Sequence, residues 1–430
     1  MILTFLYTFL FCFAWAGQVG GADPFTTPDR TRNAFGHPFP RLTREERRTF
    51  FVGNSFFKQN WVRAPSTTTA RDGLGPTFNA VSCSACHSLD GRGPGADREG
   101  FPHVSLLFRI DKTVEYGAQL QPLAIEGVER EVRPDIRFTY TSGSFKDGEV
   151  YVLRRPDFTF TDWLLGAPLS HTRVSARVGN QLIGLGLLEA IPESEILARA
   201  DPDDLNGDRS SGRAARVYDV KTGQLTLGRF GWKAEQPSVE QQSAAAFNGD
   251  IGLTSSLFPE QNCPAPQLAC QQALPGGEPE VEPRVLEALS FYMRSIAVPT
   301  PRAPDDPDTA HGGRIFKALG CASCHHPSYQ VDGVAIFPYT DLLLHDMGKG
   351  LADRALGGAW LDTEWRTPPL WGIGLIPTVN GHMNLLHDGR ARGVSEAILW
   401  HGGEALRARE EYKRLTARER AQLVRFVESL

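Results

Sequence analysis

Beyond its first sixteen residues the chain has no apolar run long enough to cross a membrane, so no later segment is expected to span one. An excess of positive charge is also missing: 45 Lys and Arg stand against 50 Asp and Glu, a formal net charge of −5. With no basic stripe along the chain, nucleic acid is not an expected partner. No repeat of roughly 20–50 residues is apparent, which argues against a solenoid or propeller. What is there is ordinary in bulk. Apolar residues make up 41% and charged residues 22% of 430 positions, enough for two or three globular domains.

The exception is the N-terminus. Met1 to Ala16 is apolar and uncharged, and Ala14-Trp15-Ala16 fits a small-x-small cleavage site. Residues 1–16 are therefore expected to be a signal peptide that sends the chain to the periplasm. No basic residue precedes the apolar run, the first being Arg30. An uncleaved anchor is the alternative, and membrane association is expected only in that case. Cys12 follows Phe11, too large for a lipoprotein cleavage site.

The cysteines carry the most information. Cys12 leaves with the signal peptide, and six of the seven remain. Four lie in Cys83-Ser84-Ala85-Cys86-His87 and Cys321-Ala322-Ser323-Cys324-His325. A c-type haem needs two thiols spaced to reach its two vinyl groups and an imidazole beside the second thiol to ligate iron. Two covalently bound haem c groups are therefore expected, on Cys83 and Cys86 and on Cys321 and Cys324, with His87 and His325 as proximal ligands. A four-cysteine zinc site is the rival. It would join pairs from separate domains and leave both histidines unexplained. The last two cysteines, Cys263 and Cys270, flank a Pro-rich loop and are expected to form a disulfide in an exported chain.

The organisation shows a weak twofold echo. Thr43-Arg44-Glu45-Glu46 reads as a capping box and opens a run with Phe50, Phe51, Phe56, Phe57 and Trp61. Gly313 to Leu319 leads into the second motif. Each unit also closes on a helix: residues 284–297 put Val285, Ala288, Leu289 and Tyr292 on one face. Thr416-Ala417-Arg418-Glu419 caps a run with Leu423, Phe426, Val427 and Leu430. The Pro- and Asp-rich stretch Pro299–Asp308 reads as a boundary. Short β-type runs at Val104–Ile110, Arg137–Thr141 and Glu149–Leu153 read as an insertion. The expected fold is mainly α, with two cytochrome c-type helical domains. An extended segment at 17–42 precedes a first haem domain at 43–298, whose β-rich insertion covers about 104–165, and a second domain at 305–430. Asp201, Asp203, Asp204, Asn206, Gly207 and Asp208 make an oxygen-rich loop that partly meets a Ca²⁺ pattern. A solvated acidic turn is the alternative.

The sixth iron ligand decides what each haem does. A Met or His there gives an electron-transfer centre, and an open position permits peroxide chemistry. The candidates are His37, His103, His171, His311, His326, His345, His382, His387 and His401, with Met293, Met347 and Met383.

Several segments together resemble the di-haem oxidoreductase family of bacterial exported proteins, also called thiol oxidoreductases. They are Gly73-Leu74-Gly75-Pro76-Thr77-Phe78-Asn79, Asp90-Gly91-Arg92-Gly93, Arg229-Phe230-Gly231-Trp232-Lys233-Ala234-Glu235-Gln236, residues 338–348 and Ile398-Leu399-Trp400-His401-Gly402-Gly403. That family resembles, more distantly, di-haem cytochrome c peroxidases and the MauG enzymes. The resemblance implies that Trp232 relays electrons between haems, that Gln242 lies over the first haem and that Asp250 is its acid–base group. Here the sequence departs from its distant relatives. Asp250 stands where they carry Glu, closer to Gln242, and Asn248-Gly249-Asp250 also reads as a turn. In the second unit, His387-Asp388-Gly389-Arg390 matches a loop that precedes the distal ligand, which puts His401 in that role. Met347 and His345 are the rivals.

The expected function is a peroxidase-like oxidoreductase with one reactive and one electron-transfer haem. Peroxide would be the oxidant and a small cytochrome or cupredoxin the electron donor. A pure electron-transfer cytochrome and an oxidase of a thiol, protein or metal substrate are the alternatives.

Overall fold

The computed structural model describes residues 23–352 and 362–430. The apolar segment, with its expected cleavage site and Cys12, lies outside the described residues. Four helices of twelve residues or more stand out: α1 (Arg44–Lys58), α2 (Pro283–Arg294), α3 (Pro307–Ala318) and α4 (Ala417–Ser429). Their starts are set locally. In α1 the Thr43 hydroxyl accepts from the Glu46 N–H, and the Glu46 carboxylate accepts from the Thr43 N–H at 2.8 Å. Thr416 and Glu419 make the same reciprocal cap on α4. The helices pack as two pairs, α1 on α2 and α3 on α4. Each crossing uses a glycine: a Cβ on Gly53 would strike the Ala288 carbonyl, and one on Gly312 the Gln422 carbonyl. The twofold echo in the sequence is thus two helix pairs built alike.

The expectation of a mainly α protein with two cytochrome c-type helical domains is overturned. Outside the four long helices, most helices are single turns or short segments, and seven small sheets run through the described chain. The reason lies in composition. With 43 Gly and 30 Pro the chain is punctuated every few residues, and helical periodicity cannot persist between stops. Backbone groups there are satisfied by short ladders and turns instead.

Strands β1 (Leu106–Thr113), β2 (Gly117–Leu120), β3 (Arg133–Ser144), β4 (Val150–Thr161) and β5 (Val174–Val178) follow the first motif. β1 lies between β2 and β5 in one sheet, while β3 and β4 form a separate hairpin. The hairpin tip reaches the C-terminal helices. Phe145 meets Tyr412 edge-on, and the buried Arg420 lies 3.8 Å over the Phe145 ring while pairing with Asp147 and Glu149. Later in the chain, β6 (Leu344–Asp346) pairs with β7 (Glu364–Arg366). One apolar core runs continuously from Phe25 to Leu430, and a second, smaller one gathers β1, β2 and β5 with Trp232 and Trp365.

Candidate haem site

Both CxxCH motifs open on one cavity of about 990 Å³, although 233 residues separate them. Each motif is a single helical turn. The His87 N–H donates to the Cys83 carbonyl at 2.9 Å, and the His325 N–H to the Cys321 carbonyl at 3.0 Å. One turn therefore turns two thiols and one imidazole toward the same space. Burial pushes the Cys83 and Cys321 thiols up to about 12.

Three histidines line the cavity with one nitrogen tied back. Nδ1–H donates to Asn180 O in His87 (2.7 Å), to Tyr339 O in His325 (3.0 Å) and to Ala397 O in His401 (2.7 Å). Each bond fixes the tautomer and leaves Nε2 as the nitrogen able to bind a metal. Burial holds all three below the ordinary histidine value, His325 at about 4, so the rings are neutral. His401 is close enough to His325 to depress it further.

The other candidates sit differently. His345 is buried with both nitrogens engaged, Nε2 by Asp341 at 2.8 Å and Nδ1 by Glu404 at 2.7 Å. Burial alone would lower it, but Cys324 and the two carboxylates raise it well above the usual range. Neither nitrogen is left for iron. Met347 lines the cavity, as does Met293 on α2.

Asp250 lies in a π-type turn, Phe247–Ile251, that continues the helix Val239–Ala246. It is on the side of the first motif, where its charge is felt by Cys83 and Cys86. Its backbone carbonyl accepts from the Asn79 and Ala80 N–H groups. Burial raises its carboxyl from the ordinary 3.8 to about 6, partly offset by Gln119 and Arg109. Gln119 donates from Nε2 to Asp250 Oδ1 at 2.9 Å, and also to Asn79 and Gly249. Arg109 and Gln119 are cross-strand neighbours on β1 and β2, and both line the cavity. Gln242 lines it as well, two helical turns before Asp250.

Trp232 lines the same cavity. Its indole N–H donates to Val178 O at 2.8 Å, and the Arg92 guanidinium sits 5.1 Å from its ring. Trp365 meets it edge-on at 6.5 Å. Trp365 in turn lies under the Lys233 ammonium at 4.0 Å. The Asp90-Gly91-Arg92-Gly93 segment and the His387-Asp388-Gly389 loop are pressed together, and a Cβ on Gly95 would collide with Asp388 and Gly389. Arg92 clasps this contact by donating to Asn384 O at 2.6 Å and to Leu386 O.

Sequence reading missed Gln119, Arg109, Trp365 and Arg366 as cavity residues. Gln119, Arg109 and Trp365 lie in stretches without a motif, and Arg366 ends a three-residue strand. Arg92 was visible only as a member of a motif, and His387 as a member of one and as a candidate iron ligand. The acidic loop 201–208 spends its oxygens locally. Asp201 accepts from the Leu205 and Asn206 N–H groups, Asp204 from Arg209 and Asp208 from Ser210. Among the described residues, its carboxylates do not converge as a metal-ligand group.

The donor set fits haem. Four thiols, histidines with a free Nε2, a large apolar-lined space and buried cations on its wall are what that group requires. A sequence model described as "Di-haem oxidoreductase, putative peroxidase" matches residues 14–112 and 169–430, skipping β2 and the hairpin β3–β4. No curated protein matches the chain. Among solved structures, one titled "Kuenenia stuttgartiensis Hydrazine Synthase Pressurized with 20 bar Xenon" covers 100% of both chains at 15% identity and a TM-score of 0.36, too slight a likeness to argue from. The family match takes in both CxxCH motifs and most of the sequence, and on that ground the chain belongs to the di-haem oxidoreductase family.

Proposed function

We propose that the chain is an exported peroxidase-like oxidoreductase carrying two covalently bound haem c groups, the first reactive and the second an electron port. The observation that carries this reading is the unequal surroundings of two CxxCH motifs on one cavity. The second has a histidine, His401, presented to His325 with its Nε2 free. The first has a carboxyl, Asp250, held near it by Gln119.

Bound haem would supply the iron that exchanges electrons with peroxide and the donor. The protein's own part is positioning and proton movement. Asp250 takes the proton from the near oxygen of peroxide and returns it to the leaving oxygen, as general acid–base catalysis requires. Its carboxyl at about 6 lets it do both near neutral pH. Gln242 orients peroxide by hydrogen bonding. Trp232, with Trp365 against it, offers a path between the two halves. In sum, one peroxide, two electrons and two protons give two waters. The electrons come from a small cytochrome or cupredoxin. The apolar N-terminus and the apposed Cys263 and Cys270 (Cα–Cα 5.6 Å) support export to an oxidising compartment.

The test is EPR of the purified ferric protein before and after peroxide, with haem stoichiometry. One high-spin and one low-spin signal, and peroxide-dependent oxidation of a reduced donor, are expected. Two low-spin signals unchanged by peroxide would favour a pure electron carrier.

A further inference from the structure

Two buried cations on the cavity wall make no ion pair among the described residues, although Asp388 acts through space on Arg92, and Glu235 and Asp341 on Arg366. Arg92 and Arg366 are each only 5% exposed, and both line the cavity. The bonds of Arg92 run from Nε and Nη2 to the Asn384 and Leu386 carbonyls. Those of Arg366 run from Nε to Gly231 O at 2.8 Å and from Nη1 to Thr367 O at 3.3 Å. Each guanidinium thus has one NH₂ group without a protein acceptor. Neither makes an ion pair, whereas nearby Arg177 pairs with Glu235 at 3.2 Å. Burial lowers both to about 10, which still leaves them charged at neutral pH.

A buried guanidinium with no carboxylate in contact is only partly compensated for its lost hydration. Two such groups on residues lining one cavity, each with an NH₂ still to be satisfied, suit a ligand that brings two anionic groups. The two sites flank one backbone step: Arg92 lies over the Trp232 ring, and Arg366 holds the carbonyl of Gly231. A planar forked donor suits carboxylates.

We infer that Arg92 and Arg366 are carboxylate-binding sites, each holding a propionate of a bound haem on either side of Gly231–Trp232. This rests on the di-haem reading above, but not on the peroxidase activity. The two arginines then neutralise the cofactor's negative edge where the halves of the molecule meet. A positive charge at that edge favours the reduced haem, and removing it lowers the reduction potential.

The test uses full-length Arg92→Gln and Arg366→Gln, with Arg92→Lys and Arg366→Lys as charge-keeping controls. Haem content is measured first, followed by a spectroelectrochemical titration of both centres against pH. Each Gln variant should lower at least one midpoint potential and give it a new pH dependence near neutrality, as a propionate loses its cation. Each Lys variant should recover most of the shift. Midpoints equal to the parent's at full haem content would overturn the inference. So would Lys variants shifted as far as their Gln counterparts, which would mark a packing effect. If a Gln variant does not fold, the Lys variant decides alone: potentials near the parent's support the site, and a large fall refutes it. A parent with shifted potentials in its variants but no peroxide turnover would sink the peroxidase reading and leave this one standing.

Discussion

The ring of Trp365 lies flat on that of His387, 3.8 Å between centroids and 13° from parallel. This contact joins strand β7 to the His-Asp-Gly loop, and Trp232 packs against it from the smaller core. Burial keeps His387 neutral, so the stack is ring on ring rather than cation on ring. Trp365→Ala should cost about 3–5 kcal/mol, the range for large aromatic truncation in a core. Trp365→Phe should keep most of that stability. Denaturant unfolding of both variants checks the ranking, and equal losses would contradict it.

His401→Ala should convert a low-spin ferric signal to high-spin if His401 faces the second haem, with the first centre unchanged. His345→Ala should behave in the opposite way. It removes the cation between the buried Asp341 and the partly buried Glu404, so stability should fall by about 3 kcal/mol, while the spin state stays as it was. Parallel EPR and thermal unfolding separate the two. A spin change in His345→Ala would reverse the assignment.

Gln119 holds Asp250 by donating to its carboxylate, which favours the charged form. Without that bond the carboxyl should titrate above about 6, its present position. Proton acceptance needs the deprotonated form, so the acidic limb of the pH–rate profile in Gln119→Leu should move to higher pH. Asp250→Asn should lose about 10²–10⁴ in peroxide turnover. An acidic limb that does not move in Gln119→Leu would detach Gln119 from the reaction.

Arg420 bridges the hairpin tip to the C-terminal helix through Asp147, Glu149 and the face of Phe145. Its carboxylate partners are partly exposed, so solvent screening limits the loss. Arg420→Ala should cost about 1–2 kcal/mol and open the β3–β4 hairpin to protease well before global unfolding. Limited proteolysis with mass mapping reads this directly. Cleavage elsewhere, with the hairpin intact, would count against the strap.

Features set by neighbours in sequence were legible before any fold was known. The two CxxCH motifs, the Thr43 and Thr416 caps and the Cys263–Cys270 apposition each lie within eight residues. A helical turn or a tight loop is enough to assemble them. The fold class was misread because four long helices, three of them with a side-chain N-cap, carry the strongest periodic signal, while the Gly- and Pro-punctuated remainder carries almost none. That silent remainder forms the small sheets.

By itself, then, the sequence determined the haem-binding chemistry, three of the long helices and the C-terminal half of α3, because those are local matters of spacing and periodicity. Only the tertiary structure decided that both motifs share one cavity. It also decided that Gln119 on β2 serves Asp250, that His345 is locked between two carboxylates while His401 keeps a free nitrogen, and that Arg92 and Arg366 flank Trp232. Each of these joins side chains separated by up to hundreds of residues. Their meeting depends on how the loops close around a common core, and no short-range pattern encodes that closure.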